Sequence, residues 1–327
     1  VWKELGPDGC NDGAAPRWTD GEHPQVVMAD ALAHPLPGHV IAFANEKGGV
    51  GKSTLAFHTA VALARAGHRV VAIDLDRRQS TLESSFAARE GTARVVGVDL
   101  PMPMHAVLNR HCAAQLQQEV ARLDARADYV VLDAPGADCP IFRRAVALAH
   151  TLVTPINPSF VDLQVIGRID PVSGRPGPAS AFGRTVAALR EERRGRELAP
   201  LDWIVAKNRV RSCERRQIDR IDSALSALAG HHEFRVACGL SERVAFRELF
   251  QFGLTHLDLP QLPDMARASR TTTAEIEELI DDLLGADRRG PGRSRRAAAT
   301  PVRTSGRARA AYREALAAAT GAVSPCA

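Results

Sequence analysis

The sequence predicts an α/β fold: a doubly wound, mostly parallel sheet flanked by helices, in a single domain with flexible termini. Three observations predict it. Short runs that are apolar on both faces recur at residues 40–44, 69–75, 129–132, 151–155, 202–206 and 234–237, as parallel strands covered by helices require. Stretches of helical periodicity lie between them. The first run leads into a glycine-rich loop, Asn45-Glu46-Lys47-Gly48-Gly49-Val50-Gly51-Lys52-Ser53-Thr54, which opens the apolar-periodic segment 55–66. Strand, glycine loop and helix in that order let several backbone N–H groups turn inward on a phosphate.

Composition bounds the rest. The 327 residues are 45% hydrophobic but only 5% aromatic, so the core is expected to be Val, Leu, Ile and Ala. No apolar run reaches the roughly 18 residues of a membrane span, and no secretory signal is visible. Six cysteines, at 10, 112, 139, 213, 238 and 326, form no C-x-x-C pair. They read as reduced cytosolic thiols rather than a disulfide or zinc framework. The expected setting is cytoplasmic, with no membrane partner.

Residues 1–38 are rich in Gly, Pro and Asp without sustained periodicity. They read as a disordered or over-extended start, with Met28 as an alternative initiator. Residues 39–285 read as the phosphate-binding domain. Residues 286–327 carry nine arginines against Asp287 and Glu314, while the rest carries 33 basic and 36 acidic residues. The basic character therefore belongs to this Ala/Arg-rich tail, which has little to bury and is expected to be flexible.

Within the loop, Gly48, Gly49, Val50, Gly51 and Thr54 supply the cradle. Lys52 can reach the β- and γ-phosphates, and Ser53 can ligate Mg²⁺. The simple G-x-x-x-x-G-K-[ST] pattern fails at Glu46, but K-G-G-x-G-K-[ST] is matched in full, which places a second lysine, Lys47, in the loop. The next strand ends Ile73-Asp74-Leu75-Asp76-Arg77-Arg78-Gln79. Carboxylates at that edge lie where open α/β sheets bind ligands. Asp76 can hold a water near the γ-phosphate or contact Mg²⁺ through water, and Asp74 orients the loop. A third strand ends Val130-Val131-Leu132-Asp133-Ala134-Pro135-Gly136. There Asp133 is placed for Mg²⁺ or its water shell, while Pro135 and Gly136 form a turn able to respond to the γ-phosphate. No Glu follows Asp133, so hydrolysis is expected to be slow.

Arg216 and Arg220 are i,i+4 neighbours on a predicted helix, and Arg211 and Arg215 thicken that positive surface. Such a face binds duplex phosphate backbones without reading bases.

The loop with its second lysine resembles the deviant Walker ATPases of the ParA/MinD kind. Narrower segments look like the MipZ division-plane positioning ATPases: D-L-D-R-R-Q at 74–79, P-I-N-P-S-F-V-D at 155–162, D-W-I-V with Asn208-Arg209, and R-V-A-F-R-E-L-F-Q-F-G-L-T at 243–255. Relatives more often read D-x-D-P-Q at the first of these. The resemblance implies ATP and Mg²⁺ as cofactors and catalytic roles for Lys47, Lys52 and Asp76. It implies that Lys47 crosses to a partner subunit's nucleotide and that Asn208 reads the adenine edge. It further implies an ATP-bound homodimer on non-specific double-stranded DNA, contact with a ParB-like partition protein, inhibition of the division tubulin FtsZ, and nucleoid association graded from the cell poles. The DNA face maps onto Arg216 and Arg220. A further basic position falls at Ser241, with Arg243 two residues on.

Two other readings share the loop. One is a ParA-type partition ATPase. The other is an iron–sulfur reductase of the nitrogenase-reductase type, for which Cys112 and Cys139 are the candidate ligands. A MinD-like membrane switch would need a terminal helix with larger apolar residues than the tail offers.

Overall fold

In this computed structural model, residues 18, 20–108, 112–170, 174–210, 215–262 and 270–285 are described. The first half comprises α1 (Pro24–Ala33), β1 (His39–Phe43), α2 (Lys52–Arg65), β2 (Val70–Asp74), α3 (Thr81–Val96), β3 (Met104–Val107), α4 (Ala113–Asp124) and β4 (Tyr129–Asp133). Then follow α5 (Pro140–Leu148), β5 (Thr151–Ile156), α6 (Phe160–Leu163), β6 (Gly167–Ile169), β7 (Pro176–Ala179) and α7 (Ala181–Gly195). The chain continues with β8 (Asp202–Lys207), α8 (Arg215–His232), β9 (Arg235–Cys238), α9 (Val244–Gln251) and α10 (Arg270–Leu284).

Seven strands form one parallel sheet in the order β3-β2-β4-β1-β5-β8-β9. Alternation along β1 shows why both of its faces are apolar. Val40 and Ala42 join one core layer, with side chains from α1, α4, α5, α7 and α8. Ile41 and Phe43 join the opposite layer, with α2, α3, α9 and α10. Successive residues of a strand point to opposite faces, so a strand roofed on both sides needs an unbroken apolar run.

The expected strands are present. Two features were not anticipated. Strand β3 closes one edge of the sheet beside β2, with Met104 exposed. Its short, proline-flanked run, Pro101-Met102-Pro103-Met104-His105, hides the strand signal, because proline is tolerated at edges but depleted from strands. An antiparallel hairpin, β6–β7, stands apart from the main sheet.

The reading of residues 1–38 as disordered needs correction for its second half. Pro24–Ala33 form a helix, and Val27, Met28 and Ala31 are buried in the core layer shared with α5 and α7. Pro24 at the first turn and His23 as N-cap start this helix. Met28 lies mid-helix with a buried side chain. Residues 1–17 and the tail 286–327 lie outside the described residues.

Candidate functional site

The glycine loop follows β1 at the sheet's centre. Asn45 sets its entry: the buried amide donates to the Pro155 carbonyl at 2.6 Å and accepts the Lys47 backbone N–H at 2.7 Å. Gly49 and Gly51 adopt φ of 74° and 94°, a region costly for residues with a Cβ. Helix α2 starts directly after Gly51, so its first N–H groups face the loop. Lys52 folds back across the loop, and its Nζ donates to the Lys47 carbonyl at 3.1 Å. Burial lowers the Lys52 pKa, while the nearby Asp133 and Asp76 charges oppose that shift.

Register brings the carboxylates together. Asp74 pairs with Asp133 across β2 and β4, and Phe43 pairs with Asp133 across β1 and β4. Both carboxylates are buried. Burial pushes Asp133 up to about 8, with Asp74 adding to the rise and the Ser53 hydrogen bond and Lys52 opposing it. Burial pushes Asp74 up to about 6 although the backbone N–H groups of Asp76, Glu83 and Leu82 donate to it. Asp74 is thus a bracket that ties the 74–82 turn to the strand. Asp76 caps the same turn through the N–H groups of Arg78 and Gln79, both at 3.2 Å.

One oxygen of Asp133, Oδ1, is buried without a protein partner. An unpartnered buried carboxylate oxygen beside the Ser53 hydroxyl fits a hard dication, which takes oxygen ligands. The turn after Asp133 closes on the phosphate lysine: a Cβ at Gly136 would lie 3.5 Å from Lys52 Nζ and 3.9 Å from Gly48 Cα. Ser53, Lys52, Asp74, Asp76, Asp133 and Gly136 thus lie together, and Pro135 sits in the turn between Asp133 and Gly136.

Lys47 goes elsewhere. Its Nζ is bonded to Asp162 of the same chain, a carboxylate only 2% exposed, while the lysine side chain is 41% exposed. Asp162 also accepts the Asn157 N–H at 2.9 Å. Sequence reasoning assigned Asp162 no role. A signal exists, because Ser159 caps α6 by accepting from the Asp162 N–H, a Ser-x-x-acid capping pattern.

Asn208 is buried, and both ends of its amide are engaged. Nδ2 donates to the Val50 carbonyl at 2.9 Å and Oδ1 accepts the Leu240 N–H at 3.1 Å. It touches the phosphate loop closely enough that a Cβ on Gly51 would meet its Nδ2 at 2.1 Å. The structure therefore places it as a tie between the loop and the exit of β9.

The basic set is spread out. Arg215 and Arg216 fall in the first turn of α8, and Arg211 lies outside the described residues. Arg220 is exposed, with its guanidinium 5.6 Å over the Phe160 ring. Arg243 is engaged by Glu275 at 2.8 Å and by the Ser241 hydroxyl at 2.7 Å. Lys207 pairs with Asp222 at 2.8 Å. Burial raises the pKa of Cys139; Cys139 and Cys112 stand at the N-cap positions of α5 and α4, neither with a side-chain capping bond. Among the described residues, no group of three His, Cys, Asp or Glu side chains is arranged to hold a metal ion, and no helix is long and apolar enough to cross a membrane.

Comparison with known proteins adds the family. The model of the family described as ATPase MipZ matches residues 39–286. The chromosome-partitioning ATPase Soj of Thermus thermophilus is 33% identical over 141 residues, 38% of this chain and 57% of that protein. Maintenance of carboxysome distribution protein A of Gloeobacter kilaueensis is 34% identical over 139 residues, 42% of this chain and 57% of that protein. The match spans little more than half the length of these curated relatives. Among solved structures, the MinD cell division protein of Aquifex aeolicus overlays with a TM-score of 0.46 at 17% identity, covering 74% of this chain and 95% of that one.

Proposed function

The chain belongs to the MipZ ATPase family, and from that premise we propose that it is an ATP-driven dimerisation switch that binds duplex DNA without sequence preference and limits FtsZ assembly. The observation that carries this reading is the division of labour between the two loop lysines. Lys52 is buried against its own loop beside Asp133 and Gly136. Lys47 stands at the rim on a carboxylate it can exchange for a phosphate of a second subunit.

Residue by residue, the loop N–H groups and Lys52 bind the phosphates of ATP. Ser53 and Asp133 would hold Mg²⁺, which would supply charge stabilisation to phosphoryl transfer. Asp76, at the start of the turn it caps, orients the attacking water. The 134–139 turn carries the presence of the γ-phosphate to α5. With no Glu directly after Asp133, turnover is slow and acts as a timer for dimer release. Pairing two subunits doubles the arginine faces built on α8 and raises DNA affinity by summed phosphate contacts. In this reading a ParB-like protein supplies the polar source and the nucleoid carries the gradient.

Duplex-DNA affinity at physiological salt, with a non-hydrolysable ATP analogue and with ADP, tests the switch in wild type, Lys47→Ala and Arg220→Glu. Binding with the analogue alone, lost in both variants, is the expected result. Equal binding in both nucleotide states rejects the switch. Light scattering of FtsZ polymers with the analogue-bound protein tests the final step. Unchanged polymer mass would leave DNA partition as the function, the role named for the Soj relative.

A further inference from the structure

Trp18 and residues 20–33 lie outside the stretch matched by the family model, yet they are built into the molecule. Val27, Met28 and Ala31 of α1 pack in the core with α5 and α7. The segment ahead of α1 grips the start of α5. The Arg143 guanidinium lies 4.9 Å over the Trp18 ring and 3.6 Å from Glu22. Glu22 also pairs with Arg144 at 3.2 Å, and Asp30 pairs with Arg144 at 2.6 Å.

Arg143 also reaches the switch turn. Its Nε and Nη2 donate to both oxygens of Asp138, at 2.8 and 2.6 Å. Asp138 follows Gly136 by two residues, and Gly136 rests against Lys52. One guanidinium therefore joins the N-terminal segment to the turn beside the phosphate lysine. The same positive charge bears on Glu46 of the loop, whose carboxyl is pushed up by burial and by Asp138 and drawn back by Arg143 and Arg184.

We propose that Trp18 and residues 20–33 form a brace that acts through Arg143, a positioning residue, to hold the 134–139 turn against Lys52 and so sets how strongly the site distinguishes ATP from ADP. This rests on the nucleotide-switch reading above. The physics is preorganisation. A bidentate arginine–carboxylate pair fixes orientation as well as distance, and the indole face holds the guanidinium in place. A turn already held needs less ordering when it meets a γ-phosphate. ADP, bound by the glycine loop without the turn, gains nothing from the brace.

The test uses the full chain and the variants Trp18→Ala, Arg143→Ala and Arg143→Lys. Calorimetry gives dissociation constants for a non-hydrolysable ATP analogue and for ADP, and thermal midpoints confirm folding. In Arg143→Ala the preference for the analogue over ADP is expected to fall roughly five- to tenfold, the lower range of a site-to-site coupling, with ADP affinity within about twofold of wild type. Trp18→Ala should show a smaller fall, and Arg143→Lys should keep part of the preference through its charge. A folded Arg143→Ala with the wild-type preference overturns the brace, as does equal weakening of both nucleotides, which marks a merely structural role. A wild-type chain that binds neither nucleotide instead overturns the switch reading itself, and the brace with it.

Discussion

Lys47 and Asp162, 115 residues apart, are joined within one chain by a lysine–carboxylate bond. If Lys47 serves a second subunit, it must leave this partner, and the pair then weighs against dimerisation. Asp162→Asn keeps an acceptor for the Asn157 N–H but removes the charge that holds Lys47. The dimer formed with a non-hydrolysable ATP analogue is therefore expected to appear at roughly a third to a tenth of the wild-type protein concentration, a shift set by the lost preference for one state. Sedimentation velocity across a concentration series measures it. A midpoint unmoved or raised would mean that the carboxylate does not compete for Lys47.

Asn208 ties two buried backbone groups, the Val50 carbonyl and the Leu240 N–H. Asn208→Ala leaves both without their partner, and an unsatisfied buried group costs about 1–3 kcal/mol. The variant is expected to unfold in urea with a stability lower by about 2 kcal/mol, without any nucleotide present. A wild-type denaturation midpoint would show that the ties carry no stability and would return the side chain to base reading alone.

These two residues also show what the sequence made legible. The glycine loop, Asp74, Asp76, Asp133 and Gly136 sit within local motifs, so strand-then-loop order places them at one sheet edge. Parallel register then does the rest, because Asp74 and Asp133 end neighbouring strands. Asp162 in α6 and Asn208 just after β8 reach the loop across more than a hundred residues, and no spacing rule encodes that approach. Helix α1 was illegible for a different reason: its short run Val26-Val27-Met28-Ala29-Asp30-Ala31 shows little polar alternation. Its stability comes from packing on α5 and α7 rather than from its own pattern.

Arg89 and Asp258 form a fully buried bidentate pair at 2.7 Å for both bonds. Asp258 also accepts from the N–H and hydroxyl of Thr255, and Arg89 donates to the carbonyls of Pro101 and Gly253. The pair clamps the turn after α9 onto α3. Removing one partner strands a buried charge, which typically costs about 3–5 kcal/mol. Asp258→Ala is therefore expected to lose about that much in denaturant unfolding. Gly253→Ala should also be severely destabilised, because its φ is +63° and the added Cβ would sit 2.2 Å from the Arg89 backbone nitrogen. Near-wild-type midpoints for either variant would show that α3 and the turn are not clamped there.

His58 of α2 gives the pH dependence. Its Nδ1 donates to the Thr54 carbonyl at 2.8 Å, since a carbonyl oxygen only accepts, and Nε2 is buried without a partner. The ring is enclosed by Phe57, Phe246 and Phe250. Burial lowers its pKa from 6.5 to about 4; the Thr54 carbonyl and the Asp258 charge oppose the shift, whereas His256 and Arg89 reinforce it. The unfolded chain therefore binds a proton on His58 between pH 6.5 and 4 that the folded chain excludes. Stability from this residue is complete above about pH 6.5 and is lost as pH falls through that window, by up to about 3 kcal/mol. Urea unfolding of wild type and His58→Leu from pH 7 to pH 4 measures it. The variant should start less stable at pH 7, having lost the Thr54 bond, and then decline less steeply. Parallel curves would show that His58 is protonated equally in both states, and the acid sensitivity of the fold would then lie with His256, whose pKa burial also lowers.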